Sequence, residues 1–386
     1  MAVTFYTSSR VSSLRLGAVR ILAFSWRDLT NPRAGGAEHY MFEHARRWVR
    51  CGNEVTFFTS RFPGALSRER IGGVEIFRGG GPLSVRVAAY RWYRELRRRP
   101  DVVIDEIHGL PFGTPAFVET PVAAMIFEVA GDIWNLMFPA PLALLGRAAE
   151  TTALRWYGRQ RVPFITISRS TAQDLDSVGI PASRVCVIEP AINTVPLDVL
   201  PAKADTPTIV FVGRLVKMKG VEDALRALAI VRGSVPNCRL LLIGAGAPDY
   251  VSDLKALARR LGVGDAAVFI GPVDDILKLR TLRESHVLVH PSRHEGWGIN
   301  VIEANAMATP AVAYNVPGLR DSIVDGETGL LCGLRKPQEL AIGLRRLLTA
   351  PVEYAQMQRR CLAWSRRFNW EESSQRSLTL LRAISQ

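Results

Sequence analysis

The chain has 386 residues, of which 48% are hydrophobic and 22% charged, with a formal charge of +13. That length predicts two or three domains, and the composition argues against a disordered chain. Five scattered cysteines with no C-x-x-C pair argue against a disulfide framework and fit a reducing, cytoplasmic compartment.

Residues 1–17 are expected as a short disordered extension, with no apolar run long enough for a signal segment or a membrane span. "VRILAF" (Val19 to Phe24) reads as a buried strand. The loop "SWRDLTNPRAGG" follows, then a helix from about Ala37 to Cys51 with apolar residues at helical spacing and Gly52 at its end. "EVTFFTS", "VEIF", "DVVI", "VAAMIF", "FITIS" and "VCVI" are further strands. Strand–helix alternation of this kind predicts a parallel sheet covered on both faces. The Pro-rich stretch 191–208 has weak periodicity and reads as an interdomain linker. The alternation then restarts with "TIVFVG", a helix over about 221–231, "RLLLIG", a helix over about 250–261, "AVFIG", "VLVHPS", "PAVAY" and "GLLC". The tail from "FNWEESSQ" is helical in pattern and is expected to pack on the first domain.

In such folds ligands sit at the carboxyl ends of the strands. Three strand-to-helix loops carry chemistry there. In "FVGRLVKMKG", Gly213 permits a tight turn, and Arg214 and Lys219 suit a diphosphate, unless they are simply exposed basic residues. In "PSRHEGWGINVIEANA", Gly296 and Gly298 flank Trp297, and a helix begins near Ile299 or Asn300, where its first-turn amides favour an anion. Glu295 precedes that turn. Glu303 lies one turn inside the helix, able to take the two hydroxyls of a ribose or merely to complement the dipole. In "NPRAGGAEHY", Gly35 and Gly36 let backbone approach a ligand or form a plain turn. Asp174 and Asp176 make a weak metal candidate, and the six histidines show no zinc spacing. No metal or cofactor is expected. The basic balance suits anionic partners, but no nucleic-acid recognition pattern is present, so no nucleic acid is expected.

Taken together, these stretches resemble the family 4 glycosyltransferases. "GRLVKMKG" looks like the family's G-R-L-x-x-x-K-G, and "EGWGINVIE" like its E-x7-E signature after Pro-Ser. "NPRAGGAEHY" looks like its N-terminal glycine loop and "FNWEE" like the start of its C-terminal crossover helix. The resemblance implies the α/β GT-B fold, two Rossmann-like domains facing across a cleft. The expected bounds are 1–195 for the acceptor-binding domain, 196–207 for the linker, 208–365 for the nucleotide-sugar domain and 366–386 for the returning helix. It implies a retaining, metal-independent transfer of a hexose-type sugar from a UDP- or GDP-linked donor to a saccharide, lipid-linked or small-molecule acceptor, with an epimerase or a non-catalytic binding protein as alternatives.

By the same resemblance, Arg214 and Lys219 hold the diphosphate, Glu303 the ribose and Glu295 the sugar hydroxyls. The backbone at Gly298 to Asn300 contacts sugar and phosphate, Gly36 sits near the diphosphate, and Gly35, Gly213, Gly296 and Trp297 complete the donor-binding set. The family commonly carries a histidine after the strand "VAAMIF", where this chain has Phe127 followed by Glu128; His108 in "DEIHGLPF" is the other acceptor-side candidate. The apolar "DIWNLMFPAPLALLG" and the basic "RWYRELRRRP" could rest on an anionic membrane, making the protein peripheral, or be ordinary core and solvated helix.

Overall fold

The computed structural model describes residues 17–131 and 133–386. All but Gly17 of the expected extension, and Asp132 of the apolar stretch, lie outside the described residues. By contacts the chain divides into two units, Met1–Glu189 with Trp370–Gln386, and Pro190–Asn369.

Unit 1 carries eight strands among the described residues: β1 (Arg20–Phe24), β2 (Glu54–Thr59), β3 (Arg68–Ile71), β4 (Val74–Arg78), β5 (Val102–Ile107), β6 (Val122–Ile126), β7 (Phe164–Thr166) and β8 (Val185–Val187). They form one sheet in the order β3-β4-β2-β1-β5-β6-β7-β8. Only β3 runs antiparallel, and it escaped the sequence reading because "RERI" is an exposed, polar edge strand. The inner strands are continuous apolar runs because helices cover both faces. Those helices are α1 (Gly36–Arg50), α2 (Val85–Glu95), the short α3 (Ile133–Met137), α4 (Ala140–Arg159) and α5 (Arg169–Ser177). Phe24, Phe58 and Tyr93 close one face, and Ile126, Leu154 and Tyr157 the other. Asp174 and Asp176 lie on α5, which Ser168 caps by accepting from the Thr171 amide at 3.0 Å. No metal-holding cluster occurs among the described residues.

Unit 2 has β9 (Thr208–Val212), β10 (Arg239–Ile243), β11 (Ala267–Gly271), β12 (Val287–His290), β13 (Ala311–Tyr314) and β14 (Gly329–Cys332). These form a parallel sheet in the order β11-β10-β9-β12-β13-β14. Its helices are α6 (Val221–Arg232), α7 (Pro248–Arg260), α8 (Asp275–Glu284), α9 (Ile299–Ala306), α10 (Leu319–Ser322), α11 (Pro337–Thr349) and α12 (Pro351–Ser365). The stretch read as a linker is tied to this unit. The Leu197 amide donates to the Ala306 carbonyl at 3.0 Å. Lys203 donates from Nζ to Thr309 Oγ1 at 2.7 Å and to the Arg283 carbonyl at 3.0 Å.

The final helix, α13 (Trp370–Ile384), packs with unit 1 against α1. His44 of α1 is buried there, its Nδ1 2.7 Å from Ser377 Oγ and its Nε2 3.3 Å from Ser373 Oγ. Trp48 donates to Ser377 Oγ at 3.1 Å.

In each sheet the chain winds outward from its first strand, then returns to that strand's other side. The reversal falls between β1 and β5 in unit 1 and between β9 and β12 in unit 2. Connections diverge at such a point, opening a crevice at the carboxyl ends of the two strands.

Candidate functional site

At the unit 2 reversal, the loops after β9 and β12 are fastened together. The Arg293 amide donates to the Met218 carbonyl at 2.9 Å. Gly220 has a φ of +67°, and a Cβ there would stand 2.1 Å from the Pro291 carbonyl oxygen. Only glycine allows both the left-handed backbone and that approach. The result brings Lys219 to Glu295, with Nζ 2.6 Å from Oε2. His290, the last residue of β12, places Nε2 3.1 Å from the same oxygen. Burial works to raise the Glu295 pKa, but the Lys219 charge and the His290 hydrogen bond outweigh it and hold the carboxylate well below its usual range. Glu295 Oε1 makes no hydrogen bond among the described residues, so it is the oxygen open to a ligand.

Arg214 is exposed on the same loop, with no side-chain hydrogen bond or ion pair among the described residues. Gly213 closes the strand, its amide donating to the Ile243 carbonyl at 3.0 Å. Gly298, with φ of +90°, is the N-cap of α9 and offers no side-chain cap. The Val301 amide donates to the Gly298 carbonyl at 2.9 Å, which leaves the Ile299 and Asn300 amides at the start of α9 with no partner within the helix. Asn300 donates from Nδ2 to the Val212 carbonyl at 2.5 Å, pinning the start of α9 to the end of β9. Gly296 and half-buried Ile299 flank this turn.

Glu303 lies on α9, with Lys278 of α8 donating to its Oε1 at 2.8 Å. Lys278 also pairs with Asp275 at 2.8 Å. Burial lowers the Lys278 pKa, but the Glu303 charge and the Asp275 hydrogen bond raise it above its ordinary value.

At two of the expected contacts the chain supplies its own partner. Trp297 is only 4% exposed, its ring 5.5 Å from that of Phe368, so its side chain serves the core. At the other loop, Gly35 donates its amide to Glu38 Oε2 at 2.7 Å, and Glu38 also pairs with Arg27 at 2.9 Å. The anion position before Gly36 is thus taken by the chain's own carboxylate, which a phosphate would have to displace.

At the unit 1 reversal, the acceptor-side candidates come together. The His108 ring stacks on Phe127 with centroids 5.8 Å apart and planes 24° apart, and Trp26 lies 6.2 Å from its centroid. His108 Nε2 is 2.9 Å from Oε1 of Glu106, which is fully buried. Glu128 is half-buried and close enough for its charge to act on His108.

The sequence reading missed His290, Lys278, Glu106 and Glu38. His290 and Glu106 carried a signal, a polar residue near the carboxyl end of a buried strand. Lys278 carried none, because its relation to Glu303 exists only once α8 and α9 pack.

Comparison with known proteins matches two family models to adjoining parts of the chain. "Glycosyltransferase Family 4" covers residues 34–195 and "Glycosyl transferases group 1" residues 197–362. A D-inositol 3-phosphate glycosyltransferase of Acidothermus cellulolyticus is 32% identical over 52% of this chain and 48% of its own length. The chain thus matches only about half the length of that relative. Among solved structures, sucrose-phosphate synthase from Thermosynechococcus elongatus superposes with a TM-score of 0.78 at 21% identity, covering 94% of this chain and 98% of that one. The HepE protein of Anabaena, in complex with UDP and glucose, does so with a TM-score of 0.71 at 19% identity, covering 95% and 100%. With two Rossmann-like α/β units and both models matched in series, the chain belongs to the family 4 glycosyltransferases and has the GT-B type of fold.

Proposed function

We infer that this protein transfers a hexose-type sugar from a nucleoside diphosphate sugar, with retention and without a divalent metal. The observation that carries this reading is the cluster Lys219–Glu295–His290, built by two loops at the unit 2 reversal beside Arg214, which has no side-chain partner among the described residues. A departing nucleoside diphosphate gathers negative charge. Arg214, Lys219 and the first amides of α9 supply fixed positive charge and dipoles for it, the role a metal would otherwise fill. Glu295, kept ionised, offers Oε1 to sugar hydroxyls, and Glu303 suits the vicinal hydroxyls of a ribose. No general-base carboxylate is required, since the leaving phosphate can accept the acceptor's proton. A UDP-linked donor is favoured because the HepE structure carries UDP and glucose.

The test is a panel of UDP-, GDP- and ADP-sugars, following binding by thermal shift and slow donor consumption with and without EDTA. The expected result is nucleotide-dependent stabilisation and EDTA-resistant turnover, with the product anomer read by NMR. Absence of binding and turnover across the panel would refute the assignment. Consumption of donor without acceptor, giving an isomeric nucleotide sugar, would favour the epimerase reading.

The acceptor, a saccharide or lipid-linked alcohol, is assigned to unit 1. Exposed Leu142, Leu144 and Leu145 on α4 and exposed Arg91, Arg94, Arg97 and Arg98 in or after α2 suit a peripheral position on an anionic membrane. No helix among the described residues is long and apolar enough to cross one. Vesicles containing phosphatidylglycerol should co-sediment the protein at low salt, and vesicles of phosphatidylcholine alone should not. Equal recovery with both would remove the membrane from the assignment.

A further inference from the structure

The crevice at the unit 1 reversal holds a pair of titratable groups that the donor reading does not use. Glu106 and His108 stand two residues apart at the end of β5, the carboxylate fully buried and the imidazole partly exposed. The His108 ring is fixed three ways: by Glu106 on Nε2, by Phe127 against one side and by Trp26 beside it. Next to it, Gly109 has φ +69°, and a Cβ there would come within 3.0 Å of the Trp134 ring. Trp134 in turn donates to Glu150 at 2.9 Å, and Glu150 also accepts from the Ala130 amide at 2.8 Å. The loops around the imidazole are therefore tied down. Its side chain is nonetheless 22% exposed, and Nδ1 makes no hydrogen bond among the described residues. An imidazole clamped on one nitrogen and open on the other is built to present that second nitrogen.

The geometry points to His108 Nδ1 as the atom that contacts the attacking hydroxyl of the acceptor, with Glu106 as the residue that positions the ring. This rests on the reading of the chain as a glycosyltransferase and adds the acceptor contact to it. Phe127 does not leave the crevice without polar function, because its ring is the surface on which His108 lies.

The pair's proton inventory follows from the chemistry of the two groups. With two protons, one lies in the Glu106–Nε2 hydrogen bond and Nδ1–H donates to the hydroxyl oxygen. With one proton, Nε2–H donates to the carboxylate and the Nδ1 lone pair accepts from the hydroxyl. Burial pushes Glu106 up to about 8, against the opposing effect of Ser25, and burial pushes the His108 imidazole down. The other charges that face the ring are Glu38 of α1, Arg27 after β1, Glu128 after β6 and Arg86 of α2, in opposed signs. The change from donor to acceptor therefore falls near the titration of Glu106, and at higher pH Nδ1 takes the hydroxyl proton in place of the leaving phosphate as the acceptor oxygen bonds to the sugar and the phosphate departs.

The experiment compares wild type with His108→Asn, His108→Gln and Glu106→Gln. The readouts are UDP affinity by calorimetry and hydrolysis of the UDP-sugar that the wild type consumes, water standing in for the acceptor hydroxyl. The Asn amide can occupy the place of Nδ1, whereas the Gln amide reaches that of Nε2 and keeps only the bond to Glu106. Expected are UDP affinities within about 2-fold and a hydrolysis rate lowered on the order of 10- to 100-fold by His108→Gln, but less by His108→Asn. A purely structural role for the Glu106 bond predicts the reverse order. In wild type the rate should rise with pH through about 8, and Glu106→Gln should lose that limb. Equal rates in wild type and His108→Gln overturn the inference alone. A wild type that neither binds UDP nor consumes any donor overturns the parent reading, and the acceptor contact with it.

Discussion

The coupling of Lys219 to Glu295 is the most exacting test of the unit 2 site. Both side chains are largely out of water, 15% and 17% exposed, with Nζ and Oε2 2.6 Å apart. Removing one partner of a buried pair strands the other's charge. The residual exposure softens the usual cost, so Lys219→Met should destabilise unit 2 by about 2–3 kcal/mol. Glu295→Gln should cost about 1 kcal/mol, because the amide oxygen still accepts from Lys219 and His290. The double variant should resemble Glu295→Gln alone, since Lys219→Met then strands nothing. That implies a coupling energy of at least about 1.5 kcal/mol, well above the scatter of independent sites. Urea-dependent hydrogen exchange at the amides of β9, β12 and α9 reads unit 2 directly. The sign with pH is fixed by the depressed Glu295 pKa. The pair's stabilisation is fully present above the ordinary value of 4.5 and is lost as pH falls from there through the depressed value. Coupling below about 0.5 kcal/mol at pH 7 would refute the reasoning.

Three further outcomes are expected. Gly220→Ala should cost about 3 kcal/mol or more and weaken UDP binding, because its Cβ would meet the Pro291 carbonyl at 2.1 Å and its φ is +67°; urea unfolding and calorimetry measure both. His44, buried and neutral with its pKa lowered to about 3 by burial, makes stability fall as pH drops below its ordinary 6.5, by about 1.4 kcal/mol per pH unit until near 3. Glu106 slopes the other way between 4.5 and about 8, so the difference between wild type and His44→Gln is the quantity to follow. Lys278→Met should lower UDP affinity less than Glu303→Ala, since Lys278 only holds the carboxylate assigned to the ribose; calorimetric Kd values for UDP and for its 2′-deoxy analogue decide this.

The architecture was legible because a doubly covered parallel strand announces itself as an uninterrupted apolar run. "TIVFV" and "VAAMI" both appear as buried strands where they were expected. β3 was not legible, because its residues gain their strand conformation from pairing with β4 rather than from a buried face. In the unit 2 site, glycine spacing foretold the turns and the helix start. It could not tell which groups of the turn would face the crevice. Trp297 looked like a ligand contact between two glycines, yet Phe368, 71 residues later, supplies the apolar partner that buries it. Asn300 was expected to offer its backbone to the ligand, and its side chain has a further role that the loop pattern did not announce, clamping α9 to β9. Long-range packing decided both, and no local pattern encodes it.

The two units place their chemistry at equivalent points, yet the helix starts there differ in a way that bears on which unit takes the phosphates. At the start of α1, Glu38 already accepts from the Gly35 amide and pairs with Arg27, so the dipole end is neutralised by the chain itself. At the start of α9, Gly298 offers no side chain and two cations, Arg214 and Lys219, lie on the loop fastened beside it. Lys219 is matched by Glu295, but among the described residues no side chain matches Arg214 or the Ile299 and Asn300 amides of α9. An anion entering unit 1 must displace a bound carboxylate, whereas one entering unit 2 completes an unfinished set of charges. This contrast supports the proposal that unit 2 takes the diphosphate. Unit 1, with a clamped imidazole, aromatic neighbours and charges that balance locally, suits an uncharged hydroxyl. The exchange Glu38→Gln tests that division: it should leave UDP affinity unchanged within about 2-fold, because a carboxylate that caps its own helix does not contribute to a phosphate site elsewhere. A tenfold gain in UDP affinity would instead mean that Glu38 competes with the diphosphate, and would move part of the donor site to the glycine loop of unit 1.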